Sequence, residues 1–148
     1  MRAERERGLL DTNIVILRHA ISARDLPEDV AISAVTLAEL SAGVHLARGQ
    51  DAALERARRV EQLQRVEHEF DPIPFDADAA RAFGRITAAV HAIGRTPRRR
   101  VADLMIAATA AVQGLPLYTT NPGDFSGLEE LVEIIAVARP ETDPPAIG

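Results

Sequence analysis

The sequence predicts an α/β protein, a three-layer α/β/α sandwich built on a central, mainly parallel sheet. Short apolar runs alternate along the chain with helical patterns of roughly 10 to 18 residues, the lengths that crossovers between parallel strands require. The strand runs are apolar at nearly every position, as in strands covered on both faces. The 148 residues are also enough for one domain that buries about two-thirds of its unfolded surface.

The elements follow in order. Gly8, Leu9 and Leu10 form an apolar run that stops at Asp11-Thr12-Asn13, after which Ile14, Leu17 and Ile21 recur at helical spacing. A second strand is expected over 30–33, followed by a helix over 35–47 that Gly49 can close. From 51 to 68, Ala53, Ala57, Val60, Leu63 and Val66 form an apolar stripe, with Arg58, Arg59, Glu61, Arg65 and Glu67 on the solvated face. Residues 72–75 read as a short strand. Asp76 or Asp78 then caps a helix over 79–93 that ends at Gly94 and Pro97. After an arginine-rich link, 101–112 is apolar on nearly every side and predicts a buried helix broken by Gly114-Leu115-Pro116. Leu117-Tyr118-Thr119 is a strand, Asn121-Pro122-Gly123-Asp124 a turn, and 131–137 the last strand. The domain is expected to span 1–138, with a disordered proline-rich tail over 139–148.

Composition narrows the function. With 47% hydrophobic and 26% charged residues the chain is an ordinary globular protein, and with no cysteine it has no disulfide or thiolate chemistry. No signal-peptide core or membrane-length apolar run is present, so a cytoplasmic location is expected. All 17 Lys and Arg positions are arginine, yet the net charge is -5, so any nucleic-acid binding must rely on a local basic patch or a bound cation. Four phenylalanines and one tyrosine are too few for a stacking platform. The absence of both G-x-G-x-x-G and G-x-x-x-x-G-K-[ST] argues against dinucleotide and P-loop folds. His19, His45, His68 and His91 show no ligand spacing and are expected to be surface or helix-end residues.

Four acids stand at strand ends or in the first turns of helices, the edge at which open α/β sheets bind ligands: Asp11, Glu39, Asp103 and Asp124. Each has an ordinary alternative. Asp11 can cap a helix, Asp124 can complete a β-turn, Thr36 to Glu39 has capping-box spacing, and Asp103 suits a first helical turn. Glu39 and Asp103, however, share helical stripes with apolar neighbours, and an inward carboxylate needs a partner. No lysine exists, and neither stripe offers an arginine. Two carboxylates about 5 Å apart repel by roughly 3 kcal/mol at an effective dielectric near 20. A cluster of four therefore calls for a cation or a raised pKa. Bound Mg²⁺ or Mn²⁺ would resolve the repulsion and supply the chemistry of phosphodiester hydrolysis. Thr12, Asn13, Thr119, Thr120 and Asn121 flank the acids as supporting donors or phosphate-positioning groups.

Leu10-Asp11-Thr12-Asn13, the segment from Ser33 to Leu40, the segment from Asp103 to Ala110 and the segment from Thr119 to Phe125 resemble, in order and spacing, the successive motifs of PIN-domain proteins, in particular VapC-type toxins of bacterial toxin-antitoxin pairs. The resemblance runs from about Gly8 to Val137. It implies a PIN-like α/β/α sandwich and Mg²⁺- or Mn²⁺-dependent endoribonuclease activity, with Asp11, Glu39, Asp103 and Asp124 as the acidic metal-binding set. Thr12 and Asn121 would be polar supports. It further implies a homodimer and a cognate antitoxin whose C-terminal segment crosses the site. Asp124 belongs to the most variable of these motifs. Arg98, Arg99 and Arg100 supply a local basic patch next to Asp103 that can hold RNA phosphates. A PIN-like protein-binding module without turnover is the competing reading.

Overall fold

Leu9 and Leu10 are both fully buried, yet they belong to different hydrophobic clusters, and Leu117 and Tyr118 divide in the same way. That alternation is the period-2 signature of a sheet packed on both faces. It is seen in a computed structural model that describes residues 7–141. The strands are β1 (Arg7–Leu10), β2 (Asp29–Ala31), β3 (Leu117–Thr119) and β4 (Ile134–Ala136). They pair in the order β2-β1-β3-β4, all parallel. The three-layer α/β/α architecture is thus as the sequence predicts.

The helices are α1 (Thr12–Leu17), α2 (Ala34–His45), α3 (Ala52–Glu69), α4 (Ala77–Ala92) and α5 (Val101–Gln113). One cluster joins the sheet to α4 and α5 through Ile86, Val90, Leu104 and Ile106, with Phe125 and Leu128 from the loop after β3. The other lies under α1, α2 and α3 and includes Ile14, Val15, Leu40 and Val66. Asp11, Ser33 and Asp76 cap α1, α2 and α4 with their side chains, while Gly114, at φ 65, closes α5 in the left-handed conformation that glycine adopts without strain.

β1 sits between β2 and β3, so the chain leaves β1 in one direction and later returns to its other side. The carboxyl ends of β1 and β3 therefore flank a topological switch point. Their close approach depends on Gly8, because a Cβ there would lie 2.4 Å from Cε1 of the buried Tyr118.

Four local expectations are corrected. Residues 72–75 make only a single parallel bridge, Ser33 to Ile73, because Pro72 and Pro74 on either side of Ile73 have no N–H to extend a ladder. The last strand is shorter than 131–137, since Leu131 and Val132 donate their backbone N–H groups to Leu128 in a turn. The first helix ends at Leu17, and two 3-10 turns, Arg18–Ala20 and Ala23–Asp25, carry the chain on past Ile21. In α3, Ala53 and Ala57 are exposed, so only the second half of the apolar stripe, Val60, Leu63 and Val66, is directed at the protein. Of the expected tail, residues 142–148 lie outside the described residues. All four histidines are exposed. Among the described residues no helix is long and apolar enough to cross a membrane.

Candidate active site

The end of β1 delivers Asp11 into the interior. Its backbone N–H donates to the Tyr118 carbonyl, which holds it against the end of β3, and the residue is only 4% exposed. A carboxylate this buried requires donors. Oδ1 accepts from the Thr12 backbone N–H and Oδ2 from the Thr119 hydroxyl, each at 2.9 Å. Thr119 Oγ1 in turn accepts from the Asn121 N–H at 3.0 Å, so the loop after β3 is tied to the same carboxylate. Asp11 thus both caps α1 and lines the cavity.

Thr12 carries the network across to α2. Its hydroxyl donates to Glu39 Oε1 at 2.7 Å and lies 3.0 Å from the hydroxyl of the fully buried Thr36. Because Ser33 caps α2, Thr36 and Glu39 do not form a capping box. Glu39 is half-buried and its carboxylate reaches outward to Thr12. Asp103, in the first turn of α5, is half-buried as well.

Asp11, Glu39 and Asp103 line one open cavity of about 420 Å³, together with Thr12 and the exposed Asn13. Burial raises the Asp11 pKa above its ordinary value against the pull of its Thr119 and Thr12 hydrogen bonds, with Glu39 and Asp124 adding repulsion. Asp103 is pushed up to about 6, first by burial and then by the negative charges of Asp11, Asp124 and Glu39, with Arg100 opposing. Four carboxylates placed far apart in sequence thus share one electrostatic field.

Asp124 stands differently from the other three. It lies in the 3-10 turn Pro122–Phe125, outside the lining of the cavity, and its Oδ1 is 3.0 Å from Arg100 Nη1. Arg100 is half-buried beside the acids, whereas Arg98 is exposed. Both belong to the turn Pro97–Arg100 that leads into α5, and the Arg99 side chain lies outside the described residues. Thr120 Oγ1 is buried without a hydrogen-bond partner among the described residues.

The site has a wall that the apolar pattern hid. Glu55, Arg59 and Gln62 of α3 line the same cavity as Asp11 and Asp103. Arg59 is held by Glu55 at 2.8 Å and donates to the Gly43 carbonyl of α2 at 2.7 Å. A third helix therefore brings an arginine into the lining, while the positive charge that acts on Asp103 is that of Arg100. Glu55, Arg59, Gln62, Val66 and Glu69 do step by four and three, but as a mostly polar stripe they carry no hydropathy signal.

The oxygen donors and their mutual repulsion suit a hard divalent cation. Among the described residues, no three His, Cys, Asp or Glu side chains are gathered closely enough to enclose an ion by themselves.

Four similarities accompany this geometry. The family model described as PIN domain matches residues 8–131. The protein named Ribonuclease VapC5 of Mycobacterium tuberculosis (strain ATCC 25618 / H37Rv) is 39% identical over 135 residues, covering 88% of this chain and 95% of that protein. Ribonuclease VapC8 of Mycobacterium tuberculosis (strain CDC 1551 / Oshkosh) is 36% identical over 107 residues, 72% and 92% of the two chains. In the crystal structure of VapBC-5 from Mycobacterium tuberculosis, a member of the VapBC family of toxin-antitoxin systems, a chain 38% identical aligns with a TM-score of 0.75 over 89% of this chain and 99% of its own length.

Proposed function

The chain belongs to the PIN-domain family, and from that premise we propose that it is a VapC-type toxin, an endoribonuclease that hydrolyses RNA phosphodiester bonds with Mg²⁺ or Mn²⁺. The observation that carries this reading is the meeting of Asp11, Glu39 and Asp103, from β1, α2 and α5, in one cavity where their charges repel one another. These three would hold the cation in part through its bound waters, since they do not enclose an ion by themselves. Asp124, paired with Arg100, acts on the site through its charge; its role is to hold Arg100 beside the scissile phosphate. A bound divalent ion supplies activation of water and stabilisation of the leaving oxygen.

The chain's own groups prepare that chemistry. Thr119 and Thr12 fix the orientation of the Asp11 carboxylate, and Thr12, backed by Thr36, aligns Glu39. Such partners of ligating carboxylates set ligand orientation and commonly contribute 10- to 100-fold, an order-of-magnitude effect, to metal affinity or activity. Arg100 would offer its guanidinium to a phosphate oxygen, with Thr120 and Asn121 as further polar groups on the loop after β3. The named relatives and the VapBC-5 complex support assigning the protein a cognate antitoxin and, as the family implies, a homodimeric state.

Incubation of purified protein with cellular RNA tests the reading. Cleavage requiring Mg²⁺ or Mn²⁺ is expected, lowered more than about 100-fold in Asp11→Asn and Asp103→Asn, beyond the usual effect of an outer partner. Cleavage that survives chelation, or is unchanged in both variants, overturns it, and a protein that binds an antitoxin without cutting RNA would be the binding module instead.

A further inference from the structure

The catalytic cavity continues past Gln62 into a second depression of about 280 Å³ between α1 and α3, whose charge has the opposite sense. The first is lined by four carboxylates, Asp11, Glu39, Glu55 and Asp103, against one arginine, Arg59. The second is lined by Arg18 and Arg65 against Glu69, with His19 at its edge. We propose that this second depression is a subsite for the RNA chain flanking the scissile bond, in which Arg65 and Arg18 bind a neighbouring phosphate. The inference rests on the nuclease reading and adds to it the path of the substrate.

A polyanion entering the catalytic cavity meets like charge. Only the phosphate at the cation is compensated there, and its neighbours need positive charge close by but away from the acids. The chain's overall charge of -5 gives no general attraction, so the compensation must be local. The depression lies in the right place for it. Arg59, Gln62 and Arg65 succeed one another at three-residue steps along α3, and the rise from Arg59 to Arg65 is about 9 Å at 1.5 Å per residue. Arg18 is already ordered, paired with Glu69 and stacked over the Phe70 ring at 5.2 Å from its centre, so little freedom is lost when it binds. Arg65 is exposed at the mouth. Arg98 and Arg100 lie on the α5 side of the site, so the strand would be held on both flanks of the acids. A peptide partner is the competing occupant, but the charge step along the groove matches a phosphodiester chain better.

The test uses Arg65→Ser, with Arg65→Lys as the conservative variant, in the full-length protein. A fluorescent single-stranded oligoribonucleotide of mixed sequence is titrated by anisotropy at several salt concentrations, with Asp103→Asn as background to prevent turnover. KM and kcat are then measured on cleaved RNA in the otherwise wild-type chain. Arg65→Ser should lower the slope of log affinity against log salt by about 0.7, the value for one phosphate on a single strand. It should raise KM about threefold to tenfold at unchanged kcat and melting temperature, with Arg65→Lys restoring most of the affinity. A merely structural role would leave the salt slope unmoved. Unchanged slope and KM overturn the proposal, as does loss of cognate antitoxin binding with RNA binding intact, which would make the groove a protein site. If the wild type cuts no RNA, the nuclease reading falls, while the anisotropy titration still judges the subsite.

Discussion

Replacing Asp103 with Asn should abolish cleavage and yet stabilise the metal-free protein. The Asp103 pKa rises from 3.8 to about 6 through burial and the charges of Asp11, Asp124 and Glu39. The folded state therefore holds the proton more tightly than the unfolded state. Stability contributed by this group is full below pH 3.8, falls as pH rises towards 6 and is level above it. A shift of this size corresponds to at most about 3 kcal/mol at 1.36 kcal/mol per unit, and solvent screening of a half-buried group reduces it to about 1–2 kcal/mol. Asn carries no such charge, so in chelator at pH 7 Asp103→Asn should melt higher by about 2–8 °C, taking 2–4 °C per kcal/mol for a domain of this size. At pH 4 the two proteins should melt together. Added Mn²⁺ should reverse the order at pH 7, because an ion at 100 times its Kd stabilises the wild type by about 2.7 kcal/mol. Thermal unfolding of both proteins across pH 4 to 8, with and without metal, measures all of this. A wild type that is at least as stable as Asp103→Asn at pH 7 in chelator would refute the argument that the acids repel.

Thr119→Val keeps the shape of a buried side chain but removes the donor to Asp11 and the acceptor for the Asn121 N–H. Chemical denaturation should show a loss of about 2–3 kcal/mol, the range for a hydrogen bond to a buried charge, and metal affinity should fall with it. Gly8→Ala places a methyl group against the ring of buried Tyr118, at 2.4 Å from Cε1 without rearrangement, and should cost about 1–3 kcal/mol by overpacking where β1 meets β3. Because that junction carries Asp11, activity should decline in the Gly8→Ala protein at temperatures where it remains folded.

What the sequence revealed and what it concealed divide along a physical line. The buried helix α5, the doubly covered strands and the acids at their ends were legible because each has a local cause: hydropathy at nearly every position, or a carboxylate at a turn beside an apolar run. Strand content at 72–75 and 131–137 was overestimated because apolar residues in short segments do not reveal where backbone donors are missing or where a turn captures them. The wall of the cavity was concealed for a further reason. Arg59 and Gln62 look like members of a solvated face, and α3 is indeed mostly exposed. Their place in the site follows from the packing of α3 on α2, where Arg59 reaches the Gly43 carbonyl. An acidic centre announces itself in the sequence because burying like charges needs a special arrangement. Arginines such as Arg59 and Arg65 sit on half-buried or exposed positions of α3, cost little to place, and leave no hydropathy pattern until the fold brings them to the cavities.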